Sequence, residues 1–387
     1  MLQRHIAAHL HGLLQSNPAV AVLGPRQVGK TTLVKALAPH YFDLELPGER
    51  LRLDLQWPQL LASGELVALD EAQAWPEVFP LLRSAIDMDR GRMGRFVLTG
   101  SVSPALMRDI SESLAGRLAL CPMTPLLATE LPAAALDDLW LTGGFPDGGV
   151  LGGGRFPKWQ RDYLDLLCAR DLPDWGLPAK PSESLRLLRM LAALHGQAWN
   201  ASEVGKSLGL SYHTVNRWTD VLAGAFLVRM LPPMLPNLGK RLTRTPKVWL
   251  RDSGLVHALL GVRTFDDLLA QPWVGASYEG FVIEQILGAL QGVDRLDDAG
   301  YFRTSDGHEC DLVVHTRGQV WAVEVKLSTS VNPHDLRKLR QVGAMVGATG
   351  LLLVSRDPRT VRVGQEVVTD LAGALGVLLA DGSSDAV

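Results

Sequence analysis

Cysteine is scarce: Cys121, Cys168 and Cys310 are the only three in 387 residues. They stand far apart with no CxxC or Cys/His spacing, which excludes a disulfide framework and supplies no zinc motif. Long apolar runs are missing too. The longest, "VGAMVGATGLLLV", is shorter than a bilayer requires and is interrupted by glycine. The opening "MLQRHIAAHL" lacks the apolar stretch of a signal peptide. A cytoplasmic protein with no membrane partner is therefore expected. Low-complexity segments and internal repeats are also absent, and with 47% hydrophobic residues the chain reads as two or three folded domains.

Net charge is small, −3, but unevenly spread. Residues 181–251 carry 10 Lys/Arg against 3 Asp/Glu, a balance of +7, while 252–387 carry 11 against 18, a balance of −7. The middle is a candidate polyanion-binding segment. The acidic last third argues against a protein that merely coats nucleic acid.

Glycine and proline mark the boundaries. "GGFPDGGVLGGGRFP" cannot sustain a helix or a central strand, so a first domain is expected over 1–157. "KWQRDYLDLLCARDL" has helical spacing and is followed by the breaker "PDWGLPAKP", giving a bridging helix and linker over 158–180. The remainder divides at a basic unit, 181–251, and a last domain, 252–387.

What is present in the first domain is a grip for phosphate. Residues Gly24 to Thr31, "GPRQVGKT", fit G-x-x-x-x-G-K-[ST], with the buried-strand run "AVAVLG" before and the helical "TTLVKAL" after. Backbone N–H groups of Gly24, Pro25's successors Arg26, Gln27, Val28 and Gly29, and the helix start through Thr32, would surround the phosphates of ATP. Lys30 would reach the terminal phosphates and the Thr31 hydroxyl would take one Mg2+ position. A second strand, "LVALDE", ends in Asp70, which can hold Mg2+ through water, and Glu71, which can polarise an attacking water. No guanine-reading "NKxD" occurs, so ATP is preferred to GTP. The strand "RFVLTGS" places Thr99 and Ser101 where a sensor of the terminal phosphate could sit. Arg117, after a glycine in "ESLAGRLAL", is either a surface arginine or a stabiliser of transition-state charge on a neighbouring subunit's nucleotide.

Together "GPRQVGKTTL", "LDEAQAWPEVFPLLRSAID", "FVLTGS", "SLAGRLALCPMTPL", "GGFPDG" and "WQRDYLDLLCARDL" resemble the prokaryotic AAA+ ATPases whose C-terminal half is a separate domain of unassigned function. The resemblance covers nearly the whole chain. It implies an α/β P-loop core built on a five-stranded parallel sheet, Lys30, Thr31, Asp70 and Glu71 in their usual roles, Arg117 at the family's Gly-Arg position, and assembly into a homo-oligomeric ring or stack.

The basic middle has the spacing of a winged helix-turn-helix. "SESLRLLRMLAALHG" is one helix, Asn200 caps a second with Glu203 reaching back, and after the Gly209 turn Ser211 caps "YHTVNRWTDVLAG". Val215, Trp218 and Leu222 form a buried stripe in that third helix, leaving Tyr212, His213, Asn216 and Arg217 outward, types suited to a DNA major groove. "AFLVRMLPPM" and "PKVWLRD" can pair as a wing with Lys240, Arg241, Arg244 and Lys247 in the connecting loop, poised for phosphates. Winged helices also serve as protein-contact modules, so that alternative stays open.

In the last domain "DLVVH" and "QVWAVEVK" flank a tight "TRG" turn and read as a hairpin that brings Asp311 close to Glu324. Glu324 and Lys326 share a face. Two carboxylates and a lysine can hold Mg2+ and activate water, and Glu279 could add a third acid. The arrangement resembles the PD-(D/E)xK nuclease superfamily, with a restriction-endonuclease-like α/β fold. By that resemblance Asp311, Glu324 and Lys326 would be the catalytic set, Glu279 the helix acid and Gln341 a backbone-positioning residue. The family's proline before the first acid is replaced by "EC".

Three uses of the phosphate grip follow: remodelling, translocating or processing duplex or branched DNA; a nucleotide-controlled signalling switch whose winged helix contacts protein; and a Mg2+-dependent nuclease gated by ATP.

Overall fold

The computed structural model describes residues 2–101, 110, 112–234 and 245–380, the side chain of Ser101 excepted. Three sheets organise them. The first is all parallel, in the order β2-β3-β4-β1-β5, with β1 Ala19–Gly24, β2 His40–Asp43, β3 Val67–Asp70, β4 Phe96–Ser101 and β5 Leu118–Pro122. Every residue of β1 is buried, as a central parallel strand requires. Its register against β4 sets Gly24 beside Ser101, and β2 against β3 sets Asp43 beside Asp70, so the carboxyl ends of the strands line one edge. Ligands of open parallel sheets bind at that edge.

The basic middle forms three helices, Pro181–Ala193, Ala201–Leu208 and Tyr212–Gly224, followed by an antiparallel pair, β6 Val228–Leu231 and β7 Lys247–Leu250. The expected caps are in place: Asn200 accepts from the Glu203 N–H and Ser211 from the Thr214 N–H. Val215, Trp218 and Leu222 are buried together. Where a linker is expected after residue 172, Trp175, Leu177 and Ala179 are buried in the same apolar cluster as Val20 and Val22 of β1 and Leu187 and Leu191 of the first middle helix. That segment is packed structure joining the two units.

The last sheet runs β12-β13-β11-β10-β9-β8, with β8 Asp298–Arg303, β9 Glu309–Thr316, β10 Gln319–Val325, β11 Gly350–Val354, β12 Val361–Val363 and β13 Glu366–Thr369. β9 and β10 pair antiparallel through a tight turn in which Arg317 and Gly318 both have positive φ, 52° and 72°. The helix Val274–Gln291, buried along most of its length, packs on this sheet. Among the described residues no helix is long and apolar enough to cross a membrane.

Candidate nucleotide site

The phosphate loop leaves β1 under tight steric control. A Cβ on Gly24 would lie 2.2 Å from the Met123 carbonyl oxygen, so the strand end tolerates only glycine. Gly29, at φ 96°, turns the chain into the helix Lys30–Leu37, whose first turn carries Lys30 and Thr31. The Lys30 ammonium is buried and donates to the Gly24 and Pro25 carbonyls at 2.9 and 2.8 Å. Burial pulls its pKa down to about 8, against the opposing pull of Glu71 and Asp70. It is a charge held by dipoles, which an anion would stabilise.

Asp70 is buried at the end of β3 and accepts hydrogen bonds from the Tyr41 hydroxyl at 2.6 Å and from Thr99. Burial, then the hydrogen bond to Asp70, drives the Tyr41 pKa far up, so Tyr41 stays a donor. Glu71 follows with a left-handed backbone, φ 51°, and its side chain accepts from Gln73. Glu45 joins the same acidic edge: burial and then Glu71 raise its pKa. Thr99 does not point a free hydroxyl at phosphate, as a sensor would. Its hydroxyl donates to Asp70 and accepts from the Glu71 N–H at 3.3 Å, so it fixes the two acids instead. The side chain of Ser101 lies outside the described residues; its backbone pairs with Gly24.

Several contributors escape a motif search. Arg4 reaches under the loop, donating to the Val28 carbonyl at 2.6 Å and the Thr124 carbonyl at 2.8 Å, while its Nε meets Glu130 at 2.8 Å. Glu130 also accepts from the His5 and Leu127 N–H groups. Within the loop, Arg26 faces Asp171 at 3.4 Å, and its Nε is buried without a hydrogen-bond partner. Asp171 closes a π-helical turn, Leu167–Asp171, at the end of the bridging helix Lys158–Leu166; such turns often mark functional sites. Burial raises its pKa.

Donor chemistry fits a Mg2+ nucleotide. A buried ammonium held on two carbonyls lies in the loop, and one hydroxyl, Thr31, with one carboxylate, Asp70, matches how Mg2+ is held when phosphates supply the other ligands. Arg117, by contrast, forms a two-pronged ion pair with Asp87 at 2.8 and 2.9 Å on the outer surface.

The middle unit exposes only some of the side chains expected to face outward. Tyr212, His213 and Arg217 are exposed, and Tyr212 and His213 rings lie 3.8 Å apart. Asn216 is partly spent, because its Oδ1 accepts from Trp199 Nε1 at 2.9 Å. Lys240, Arg241 and Arg244 lie outside the described residues. Lys247 departs outright from expectation. It is a residue of β7, not of the connecting loop, and is 5% exposed, with Nζ 2.9 Å from Glu309 and 3.3 Å from Glu279. All four residues of β7 are buried, and Lys247 is accommodated there by acids from distant elements, which local sequence cannot show.

In the last domain the hairpin does bring the acids together. Asp311 accepts from the Val325 N–H at 2.8 Å, and Lys326 donates to Glu324 at 2.6 Å. Burial and then Asp311 push the Glu324 pKa up to about 7; burial and then Asp311 also raise that of Glu279. Burial raises Asp311 too. Among the described residues, however, no three acidic, histidine or cysteine side chains are grouped so as to hold a metal ion. The expected Mg2+ ligands Asp311, Glu324 and Glu279 are therefore not grouped around one point: Glu324 pairs with Lys326, Glu279 with Lys247, and Asp311 accepts from the Val325 N–H. Gln341 is exposed on the helix Pro333–Val346.

An AAA domain is matched over residues 16–131, and two domains of unknown function, DUF8612 and DUF4143, over 133–266 and 274–372. Two uncharacterized proteins, of Mycobacterium bovis and Mycobacterium tuberculosis, are each 39% identical over 349 residues, 87% of this chain and 76% of theirs. Among solved structures, a Walker-type ATPase of Pyrococcus abyssi aligns at 17% identity over 67% of this chain and 96% of its own, with a TM-score of 0.48. RuvB of Thermotoga maritima aligns at 18% identity over 59% and 89%, with a TM-score of 0.30. The chain belongs to one family with its two uncharacterized mycobacterial relatives, and its N-terminal part is a P-loop ATPase domain of the AAA type followed by domains with no assigned function.

Proposed function

We propose that the chain binds ATP with Mg2+, hydrolyses it, and uses the cycle to act on DNA. The observation that carries the first part is the buried Lys30 ammonium, bonded to the Gly24 and Pro25 carbonyls beside Asp70 and Glu71. The loop N–H groups and Lys30 orient the triphosphate, Thr31 and Asp70 would hold Mg2+, and that ion, when bound, screens the phosphate charge. Glu71 accepts a proton from the attacking water, held in position by Gln73 and by the Thr99 bond to its backbone. In a homo-oligomer Arg117, released from Asp87, would reach a neighbouring copy's nucleotide.

For DNA, the exposed Tyr212, His213 and Arg217 at the start of a helix carried by a three-helix and hairpin unit support a groove-reading role as a winged helix. Exposed Arg186, Arg189 and Lys206 add positive charge on the same unit. The competing reading, a nucleotide switch that contacts protein, gains from the burial of Lys247 and the internal bond of Asn216. ATP turnover measured without DNA and with duplex, single-stranded and branched DNA separates them. Stimulation that weakens steeply with salt supports the DNA reading; turnover indifferent to all three DNAs supports the switch.

A further inference from the structure

Two side chains of the phosphate loop turn toward the segment that leads to the middle unit. Val28 is fully buried, in the apolar cluster that also holds Leu167, Cys168 and Leu172 of the bridging segment. Arg26 brings its Nε to 3.4 Å from Asp171 Oδ2. Between them Gln27 is held at φ 63°, a left-handed conformation that costs energy in any residue but glycine, so the shape of the loop depends on these flanking anchors.

The contact of Arg26 with Asp171 is incomplete. Asp171 is buried, and its other oxygen, Oδ1, already accepts from Arg170 Nε at 3.0 Å. Arg26 Nε is buried as well, yet it makes no hydrogen bond. A charged donor shut away from water and left unbonded is costly, and a shift of about half an ångström would bring it to the ordinary length of a charge-assisted bond.

Asp171 is placed to pass such a shift onward. It closes the π-helical turn Leu167–Asp171, and its carbonyl accepts from the Trp175 N–H at 2.9 Å. Trp175 and Leu177 are buried in one cluster with Leu187 and Leu191 of the first middle helix and with Trp218 and Leu222 of the helix Tyr212–Gly224. A continuous apolar core therefore runs from the phosphate loop to the helix that carries Tyr212, His213 and Arg217.

We propose that Arg26 is a positioning residue that couples nucleotide occupancy to the middle unit: closure of the phosphate loop on a triphosphate completes the bond from Arg26 to Asp171, and the bridging segment is ordered with it. This coupling presupposes ATP binding at the loop and adds how that site is linked to the rest of the chain. By reciprocity, whatever ATP does to the segment, the segment does to ATP affinity.

Amide hydrogen exchange of the full chain, with and without Mg2+ and ATP, tests it in wild type, Arg26→Met, Arg26→Lys and Asp171→Asn. Amides of residues 26–32 report that ATP is bound, and those of residues 167–180 report the coupling. In wild type ATP should slow both, the second set by about fivefold or more. At ATP concentrations that saturate the loop of each variant, the response at 167–180 should be lost in Arg26→Met and Asp171→Asn and partly recovered in Arg26→Lys, which keeps the charge. A merely structural pair would raise exchange at 167–180 with and without ATP alike and leave the response to ATP intact, and that result in either folded variant would overturn the proposal. Loop protection in wild type with no change at 167–180 would overturn it whether or not the variants fold. Protection at neither place would overturn the ATP reading together with it.

Discussion

Two buried lysines sit beside carboxylates in this molecule, and they are held in opposite ways. Lys30 is bonded to two main-chain carbonyls, with Asp70 and Glu71 acting on it only through space, and burial takes its pKa down to about 8. Lys247 is in direct contact with Glu279 and Glu309, and although burial opposes its charge, those acids and Asp311 hold its pKa above the ordinary lysine value. Burial alone is therefore uninformative about function. An ammonium on neutral dipoles retains an unspent attraction for an anion, whereas one already paired with carboxylates has none to offer.

Breaking the contrast at Lys30 should have the largest effect. Glu71→Gln is expected to lower ATP turnover by about 10²–10⁴-fold while ATP still binds, the signature of a lost proton acceptor; single-turnover kinetics alongside equilibrium binding would check it. Lys30→Ala should abolish measurable turnover and weaken ATP binding by roughly 10–100-fold, the range of a charge-assisted hydrogen bond. Next comes the loop's support. Arg4→Met takes the counter-charge from the buried Glu130 carboxylate, which keeps only its two main-chain N–H donors, and the arginine donor from the Val28 carbonyl, so ATP affinity should fall by about tenfold, with Arg4→Lys recovering part of it. The same substitution made at Glu130 should reproduce the loss, and unchanged affinity in both would remove Arg4 from the account.

The pH dependence sharpens the comparison. Only protonated Lys30 attracts phosphate, so ATP affinity should be flat below pH 8 and decline by up to about tenfold per unit above it, with proton uptake on binding near pH 8. Calorimetry in buffers of different ionisation enthalpy reads that proton directly. Smallest is Arg117→Ala, because a solvent-screened pair with Asp87 adds little to stability. A loss of turnover much larger than that loss of stability would mark a role at a neighbouring nucleotide.

The phosphate loop was legible in the sequence because its chemistry is contiguous. Gly24, Gly29, Lys30 and Thr31 act within one strand-turn-helix, and Asp70 and Glu71 end the strand expected of them. The Asp311–Glu324 hairpin was legible for the same reason, since a tight turn at Arg317 and Gly318 fixes the register. Arg4 was not, because its partner Glu130 lies 126 residues away and neither belongs to a patterned segment. Lys247 was misplaced because a basic residue near a turn looks like a solvent-facing charge until Glu279, 32 residues on, is brought against it. Thr99 was found as a residue but not in its role: a strand-end hydroxyl can face phosphate or a neighbouring acid, and only the β3–β4 pairing decides. Asp171 carried a weak signal, an acid at the end of an amphipathic helix, with nothing to tie it to Arg26.

Isothermal titration of Mg2+ and ATP into the folded full chain, with Lys30→Ala and Lys247→Met in parallel, tests the central claim most directly. Saturable uptake by wild type and Lys247→Met, lost or strongly weakened in Lys30→Ala, is the predicted result. Equal uptake by Lys30→Ala, or none by wild type, would contradict it.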